Sequence, residues 1–472
     1  MPATVLSAQI RVKNLSPVEL IRAIYSRLHE TNPTINAFCT LCQEEAYRAA
    51  RRAESAVMRG DTLGALHGIP VSIKDLILTR GVRTMFGSPT RENFVPDEDA
   101  PAVAKVLAAG AIAIGKTTTP EYGFKAVTDS PLTGVTRNPW DPNKTAGGSS
   151  GGAGAAVAAG LGPLALGTDG AGSIRIPACF NGIFGFKPSY GRVATYPPNP
   201  VPFLSHVGPM TRTVRDAALL LNVIAGPDER DLLSLPADTT NYLAACEGGI
   251  RGLRVAWSPT FGYAKVDTEV AEITEVAARS FEKTLGCHVE TADPGFPSPR
   301  SSFAILWTMS YALRFRSFLP EWGSRMDPDL VTLITGAERF DSSEFGEALA
   351  QRWSLWRITQ QFFDRFELLL TPTLPVSPFA VGRSAPEGIA ETAGALPPFP
   401  EWLPFTYPWN LTGLPTGTVP CGFTRDGLPV GLQIVGRRFA DATVLRAAAA
   451  FEDAHPWAHK RPLIREVGQQ VA

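Results

Sequence analysis

The stretch from Thr145 to Pro177 constrains this chain more than any other, because it is built mainly of glycine and other small residues around three serines. It contains two Gly-Ser clusters, GGSSGG over 147–152 and GAGSIR over 170–175. Glycines at this density let backbone approach backbone and let several N–H groups point into one cavity. A serine hydroxyl beside such donors meets the needs of acyl transfer, which are a nucleophile and donors for the oxygen that becomes negative.

A serine nucleophile also needs a group that accepts its proton, and the segment GIPVSIKD over 68–75 offers a lysine. Val71 to Ile73 predicts a short buried strand, with Lys74 at its end. A lysine acts as a base only when it is neutral, so its pKa must fall from about 10.4 towards neutrality. Burial among apolar residues lowers a lysine pKa in this direction.

Together these segments resemble the amidase signature family of serine hydrolases. The resemblance rests on GIPxxxKD, on GGSSGG and on GTDGAGSIRIP over 167–177. Lys74 precedes Ser149 by 75 positions, and Ser149 precedes Ser173 by 24, which are the separations expected of this family. The similarity continues through Gly182 to Tyr190 and into the C-terminal segment, so it covers most of the chain.

The resemblance implies hydrolysis of a carboxamide, with esters and carbamates as further substrates, through an acyl-enzyme. In that mechanism Ser173 is the nucleophile, Ser149 passes its proton to Lys74, and the peptide bond before Ser149 is cis. The implied oxyanion hole consists of four consecutive backbone N–H groups, those of Gly170, Ala171, Gly172 and Ser173. The family more often has glycine where Ala171 stands, so a backbone conformation that requires glycine is in question there. We expect neither a metal nor a cofactor.

Asp169 and Arg175 flank the nucleophile, and we predict that they form an ion pair that holds its loop. A rim position in contact with substrate is the alternative for both.

An aromatic stripe lies outside the motifs, where Phe303, Trp307, Tyr311 and Phe315 recur every four residues. Such a spacing drifts about 40° per step around a helix but keeps the rings on one side. The stripe is interpreted as core packing or as the wall of a substrate pocket. The candidate pocket residues are Phe124, Ile174, Trp307, Tyr311 and Trp409.

Short apolar runs alternate with helical segments, which predicts an α/β fold. We expect a single large domain with a central mixed β-sheet covered by helices on both faces. Its expected parts are an N-terminal helical arm (1–62), a catalytic core (63–230), a mostly helical variable segment (265–365) and a C-terminal part that returns to the sheet (366–472).

Local signals predict further features of this fold. A capping box at Ser16 starts a helix that Asn32-Pro33 is expected to break. The Pro- and Gly-rich stretch from Ala380 to Pro404 predicts a long surface loop, with enough aromatic residues around 399–409 to fold over another part of the chain. Asn410 to Gly436 predicts a hairpin.

The near balance of 44 basic and 45 acidic residues argues against binding of nucleic acid and against a polybasic patch that binds membranes. The most apolar stretch, Ala153 to Leu166, is too short to span a bilayer. Six cysteines do not indicate a disulfide framework, and Cys39 and Cys42 lack a second pair for zinc. With no signal peptide recognised, we expect a cytoplasmic protein with a small-molecule amide substrate. The resemblance adds a homodimer as a candidate assembly.

Rival interpretations of the glycine-rich stretch are weaker. GGSSG over 147–151 also fits the nucleophile elbow of α/β-hydrolases, but turn residues precede it where that elbow needs a strand. Gly170 and Gly172 begin a dinucleotide-binding fingerprint, but Arg175 stands where its third glycine belongs. Glycine used for tight packing alone leaves Lys74 and the serines unexplained.

The aromatic stripe and the 399–409 segment favour an aryl or otherwise apolar amide, such as an anilide. The alternative within the family is the glutaminase subunit of a tRNA-dependent amidotransferase, although the segment Val193 to Pro200 is unlike its usual continuation. An alternative of another class is a non-catalytic binding protein on this scaffold, which Lys74, Ser149 and Ser173 argue against.

Overall fold

The computed structural model of this protein describes residues 1–388 and 399–464. Its strands in chain order are β1 Phe38–Leu41, β2 Pro70–Lys74, β3 Ile112–Thr117, β4 Asp129–Ser130, β5 Gly134–Val135, β6 Leu164–Asp169, β7 Phe184–Lys187, β8 His206–Thr211, β9 Arg254–Trp257, β10 His288–Thr291, β11 Leu368–Pro372, β12 Thr416–Phe423 and β13 Pro429–Gly436. Within these residues, eleven strands form one sheet in the order β1-β3-β2-β6-β8-β7-β12-β13-β11-β9-β10, while β4 and β5 pair separately. Parallel pairs such as β2 with β6 occur beside antiparallel ones such as β6 with β8, so the sheet is mixed, as expected.

The helices in chain order are α1 Ala3–Arg11, α2 Pro17–Ile35, α3 Gln43–Arg59, α4 Pro101–Ala108, α5 Gly151–Ala158, α6 Arg175–Asn181, α7 Val214–Ile224, α8 Tyr242–Ala245, α9 Thr268–Lys283, α10 Arg300–Phe315, α11 Leu319–Trp322, α12 Pro328–Gly336, α13 Ser342–Arg365, α14 Pro408–Thr412 and α15 Asp441–Ala454. In the described part of the chain, none of them combines the length and the apolar character that a membrane crossing requires.

Helices cover both faces of the sheet, because successive side chains of a strand point to opposite faces. In β6, Leu164 and Leu166 belong to an apolar cluster shared with α4, α7 and α15. Ala165, between them, packs instead with residues of α5 and α6. The strand is buried on both sides, which confirms the predicted α/β architecture.

Helix α2 differs from its prediction, because it does not break at Asn32-Pro33 but continues to Ile35. Proline lacks a backbone N–H, so within a helix it removes one hydrogen bond. Here Pro33 lies in the last turn, and Asn32 Oδ1 accepts the backbone N–H groups of the first two residues after Asn36, at 2.8 and 2.9 Å. These contacts hold the chain beyond the helix end.

The segment predicted as a surface loop, Ala380 to Pro404, is only partly described, and 389–398 lie outside the described residues. Its end is not on the surface, because Trp402 and Leu403 are fully buried. The Trp402 ring stacks on Phe180 of α6, with 6.1 Å between centroids. The aromatic residues therefore bury the end of this segment in the core, in spite of its loop-like composition.

The hairpin predicted over Asn410 to Gly436 is confirmed from β12 onwards, where β12 pairs antiparallel with β13, but Asn410 to Thr412 belong to α14. Its turn contains Gly427 at φ +76°, a conformation that favours glycine.

Candidate active site

Lys74 ends β2 near one edge of the sheet and is completely buried. Its Nζ donates hydrogen bonds to Ser149 Oγ at 2.7 Å and to Thr168 Oγ1 at 2.8 Å. Burial lowers the pKa of Lys74 well below its ordinary value, and the Asp169 carboxylate opposes this shift only in part. This shift is in the direction that a lysine acting as a base requires.

Ser149 immediately precedes Ser150, the N-terminal flank of α5, and the Gly148–Ser149 peptide bond is cis, as the resemblance implied. Two glycines make room for this serine. A Cβ on Gly148 would lie 2.6 Å from the Val127 backbone, and a Cβ on Gly123 would lie 3.2 Å from Ser149 Oγ. Gly148 thus allows the first cluster to pack against the Val127 backbone, and Gly123, outside the cluster, leaves space for the Ser149 hydroxyl.

Ser173 lies in the loop between β6 and α6, with 6% of its surface exposed. Its backbone carbonyl accepts a hydrogen bond from Ser150 N–H at 3.2 Å, which joins the two Gly-Ser clusters directly. The Ser150 hydroxyl in turn donates to the Thr168 carbonyl at 3.1 Å. The predicted proton path has two steps, and each needs a hydrogen bond. The Lys74–Ser149 hydrogen bond is present. Within residues 1–388 and 399–464, the Ser173 hydroxyl forms no hydrogen bond.

The loop before Ser173 takes its left-handed residue at Gly172, with φ +123°, and not at Ala171. Alanine therefore fits where the family more often has glycine. The Gly172 N–H donates to Asp169 Oδ1 at 2.7 Å. That donor is engaged inside the loop, so the N–H groups of Gly170, Ala171 and Ser173 remain the candidates for an oxyanion hole.

The predicted ion pair between Asp169 and Arg175 is present, bidentate and wholly buried, with Nε to Oδ2 at 2.9 Å and Nη2 to Oδ1 at 3.0 Å. Burial by itself raises the pKa of Asp169, but the adjacent guanidinium outweighs it and holds that pKa below its ordinary value. The ion pair holds the loop that bears Ser173, since Asp169 also accepts the backbone N–H groups of Gly172 and Ile174. The sequence predicted this ion pair.

Three further partners of this pair were not predicted. Arg175 Nη1 donates to the Thr406 carbonyl at 2.9 Å and to Gln433 Oε1 at 2.8 Å, and its Nη2 donates to Asn410 Oδ1 at 2.8 Å. All three lie more than 230 positions away in the chain. Sequence spacing carries no signal for contacts of this kind, which arise from sheet topology.

A cavity of about 330 Å³ reaches Thr168, the residue that shares Lys74 Nζ with Ser149. One wall is a continuous series of rings, from Phe94 through Phe86, Tyr122 and Phe315 to Phe318, with neighbouring centroids 4.1–6.2 Å apart. Residues 194–200 contribute another part of the lining, including three prolines. The cavity is mostly apolar and opens beside the proposed base.

None of the five predicted pocket residues lines this cavity. Tyr311 lies behind the wall and donates its hydroxyl proton to the Tyr122 carbonyl at 3.0 Å. Trp307 backs the nucleophile loop, because a Cβ on Gly170 would lie 3.2 Å from its ring. Buried without lining the cavity are Phe124, Ile174 and Trp409.

The residues of the aromatic stripe on α10 therefore have different roles. Phe303 is core, since its ring stacks on Tyr407 at 4.7 Å. Phe315, three turns later, lines the cavity. Thr168 was also missed as a functional residue, although it stands inside the GTDGAGSIRIP motif.

In this α/β protein a buried lysine is hydrogen-bonded to one serine, and a second serine lies in the neighbouring glycine-rich loop. This arrangement is that of a serine hydrolase. The model of the family described as Amidase matches residues 19–445, and the chain belongs to that family and is an amidase.

Relatives with similar sequences differ in their activities. An acylamidase of Rhodococcus erythropolis is 41% identical, over 98% of this chain and 97% of the relative. A glutamyl-tRNA(Gln) amidotransferase subunit of Chloroflexus aurantiacus is 36% identical, over 98% of each chain.

Among solved structures, a bacterial aryl acylamidase of the amidase signature enzymes superposes with a TM-score of 0.90 and is 32% identical, over 97% of each chain. The sheet and its helices thus follow the amidase signature fold.

Proposed function

We propose that this amidase hydrolyses aryl or otherwise apolar carboxamides through an acyl-enzyme on Ser173. The observation that carries the proposal is the Lys74 Nζ–Ser149 Oγ hydrogen bond next to Thr168, which also accepts from Lys74 Nζ and lines an aromatic-walled cavity. The similarity to an acylamidase and to an aryl acylamidase supports the same substrate class.

In the proposed reaction Ser173 Oγ attacks the amide carbonyl carbon while its proton passes to Ser149, whose own proton passes to neutral Lys74. The C–N bond then breaks, and the proton held by Lys74 returns through Ser149 to the leaving amine. Water hydrolyses the ester on Ser173 by the same path in reverse.

The negative oxygen of each tetrahedral intermediate is assigned to the backbone N–H groups of Gly170, Ala171 and Ser173. One such donor typically contributes about 10²–10³ in rate. Asp169 and Arg175 touch no reacting atom in this scheme; they hold the loop that presents these donors.

The test is hydrolysis of acetanilides, small aliphatic amides, aryl esters and glutamine by the purified chain. Ser173→Ala and Lys74→Ala are assayed beside it, and a serine-directed fluorophosphonate identifies the labelled residue by mass spectrometry. We expect aryl amides to be the best substrates and both variants to lose activity. Activity that survives in Ser173→Ala contradicts the assignment of the nucleophile, and an absence of fluorophosphonate labelling supports a binding protein instead.

The second candidate is the glutaminase subunit of a tRNA-dependent amidotransferase, favoured by the 36% identity to such a subunit over nearly the whole chain. Glutamine as the only substrate, with turnover that requires partner subunits, would establish it. The apolar lining of the cavity favours the aryl amide instead. We also propose a cytoplasmic homodimer; light scattering of the purified chain tests the assembly.

A further inference from the structure

The cavity beside Thr168 carries charge of one sign only. Its charged lining residues are Arg91 and Arg314, and no aspartate or glutamate of the described chain lines it. Both arginines are exposed, whereas Thr168 is buried next to Lys74. The arginines therefore stand at the solvent end of the cavity, and Thr168 stands at its inner end, where it separates the cavity from Lys74.

The protein itself does not neutralise these two guanidinium groups. Neither forms an ion pair with a carboxylate anywhere in residues 1–388 and 399–464. Arg91 instead lies over the ring of Phe94, with 5.2 Å between its guanidinium carbon and the centroid, so it rests on the aromatic wall. Because basic and acidic residues nearly balance over the whole chain, this excess belongs to the cavity mouth and not to the general surface.

Arg314 stands in the last turn of α10, where a positive charge also favours the negative end of the helix. That accounts for a cation at this position, but it leaves the guanidinium able to pair with a ligand. Its neighbour in the chain, Phe315, faces the cavity, so ring and charge are presented together.

We propose, on the basis of the function proposed above, that this cavity selects amides whose aromatic or apolar part carries an anionic group, specifically a carboxylate, at the end away from the amide bond. The ring wall accepts the apolar part, and the guanidinium groups of Arg91 and Arg314 bind the carboxylate, whose geometry they match. The amide then reaches Ser173 with the substrate held at both ends.

Matched substrates test the proposal. One pair places the carboxylate on the amine half, 4-acetamidophenylacetate against 4-ethylacetanilide. The other places it on the acyl half, glutaranilate against pentananilide. The ratio of kcat/KM within each pair is measured for the wild-type chain, Arg91→Gln, Arg314→Gln and the double variant. Turnover of the neutral member reports that each variant is folded.

We expect the wild type to prefer the carboxylate in one pair, which identifies the half of the substrate that occupies the cavity. Each single substitution should lower that ratio by about fivefold, and the double variant by more than either. Added salt at about 0.5 M should reduce the wild-type preference, because exposed charges are screened.

Arg22→Gln is the control, since it removes the same charge from an exposed position of α2 that does not line the cavity. Equal loss in this control would assign the effect to net charge and overturn the proposal. So would unchanged ratios in the double variant, in which case hydrolysis of the neutral anilides still supports the proposed function. If the wild type cleaves none of the four amides, the proposed function itself fails.

Discussion

Arg175 Nη1 lies 2.8 Å from Gln433 Oε1, so a single hydrogen bond joins the start of α6 to β13 across 258 positions of chain. The Gln433 amide is itself fixed, since its Nε2 donates to the Phe405 carbonyl at 2.7 Å. The loop that bears Ser173 is thereby anchored to the C-terminal hairpin, and its geometry depends on residues that close the fold.

Removal of the Arg175 guanidinium should break this connection between α6 and β13 and destabilise the protein. Arg175→Met leaves Asp169 charged and unpaired in the interior, and we expect the free energy of unfolding to fall by about 3–5 kcal/mol. Urea denaturation followed by fluorescence measures it. Arg175→Lys is the matched control: it keeps the charge but loses the bidentate geometry, so its stability should fall between the two. Equal stability of Arg175→Met and wild type would contradict the structural role.

The depressed pKa of Lys74 predicts the direction of the pH dependence. Hydrolysis requires the neutral amine, so kcat/KM should fall as the pH drops through the pKa of Lys74, at a pH well below the ordinary lysine value of about 10.4. A pH–rate profile measures this limb. In the Lys74→Arg variant the guanidinium stays protonated over this pH range, so kcat/KM should be at least about 10²-fold lower than that of the wild type at every pH. An acid limb of the wild type that persists unshifted in residual Lys74→Arg activity would assign it to another group.

The same shift affects stability. The folded pKa of Lys74 lies below the unfolded one, so between the two values the unfolded chain binds more protons and stability rises with pH. Lys74→Met removes this contribution, and its free energy of unfolding should depend less steeply on pH in that window. Urea titrations at several pH values compare the two slopes; equal slopes would count against the buried, neutral lysine.

Gly172 should tolerate no side chain. Its φ of +123° favours glycine, and a Cβ there would lie 2.7 Å from both Cβ and Oγ1 of Thr406. Gly172→Ala should displace the nucleophile loop and lower kcat/KM by about 10²-fold, since small misplacements of reacting groups have effects of this size.

Gly427→Ala is the control for that substitution, because Gly427 also has a positive φ but nothing lies within 4 Å of its added Cβ. It should lower stability modestly and leave kcat/KM unchanged. Similar kinetic losses in both variants would show that backbone strain alone, and not the contact with Thr406, explains the effect.

Phe315 should set the preference for aromatic substrates. Phe315→Leu removes a ring from the cavity wall, and we expect the ratio of kcat/KM for acetanilide over a small aliphatic amide to fall by about fivefold. Phe303→Leu changes a buried ring of the same helix that stacks on Tyr407, so it should lower stability and spare the ratio. If Phe303→Leu lost this selectivity and Phe315→Leu did not, the substrate pocket would be lined by other residues of the aromatic stripe and not by Phe315.

The motif residues were predicted from the resemblance to the amidase signature family, and local physics supports where each of them lies. Lys74 follows the short, mostly apolar run Val71 to Ile73, which favours a buried strand, and glycines beside Ser149 and Ser173 indicate close backbone approach. The ion pair of Asp169 with Arg175 joins residues six positions apart. Short-range pattern and chemistry were sufficient for the strand and the ion pair, whereas the roles of the two serines came from the resemblance.

The cavity could not be placed in the same way, because its wall is assembled from distant segments. Periodicity put Tyr311 and Phe315 on one side of a helix but could not say which of them faces a void and which lies behind Tyr122. The aromatic content of 399–409 predicted that this segment folds over another part of the chain, but it could not identify Phe180 as the ring on which Trp402 stacks.

Helix α10 places Trp307 next to the turn at Gly170 and, two helical turns further on, places Phe315 in the wall of the cavity. One rigid rod thus connects the shape of the binding site to the alignment of the nucleophile. We expect this arrangement to constrain the evolution of a new substrate range, because a replacement in α10 that reshapes the ring wall should also shift Trp307 against the loop of Ser173. Laboratory selection for new amides should therefore accept changes at 194–200 earlier than changes along α10.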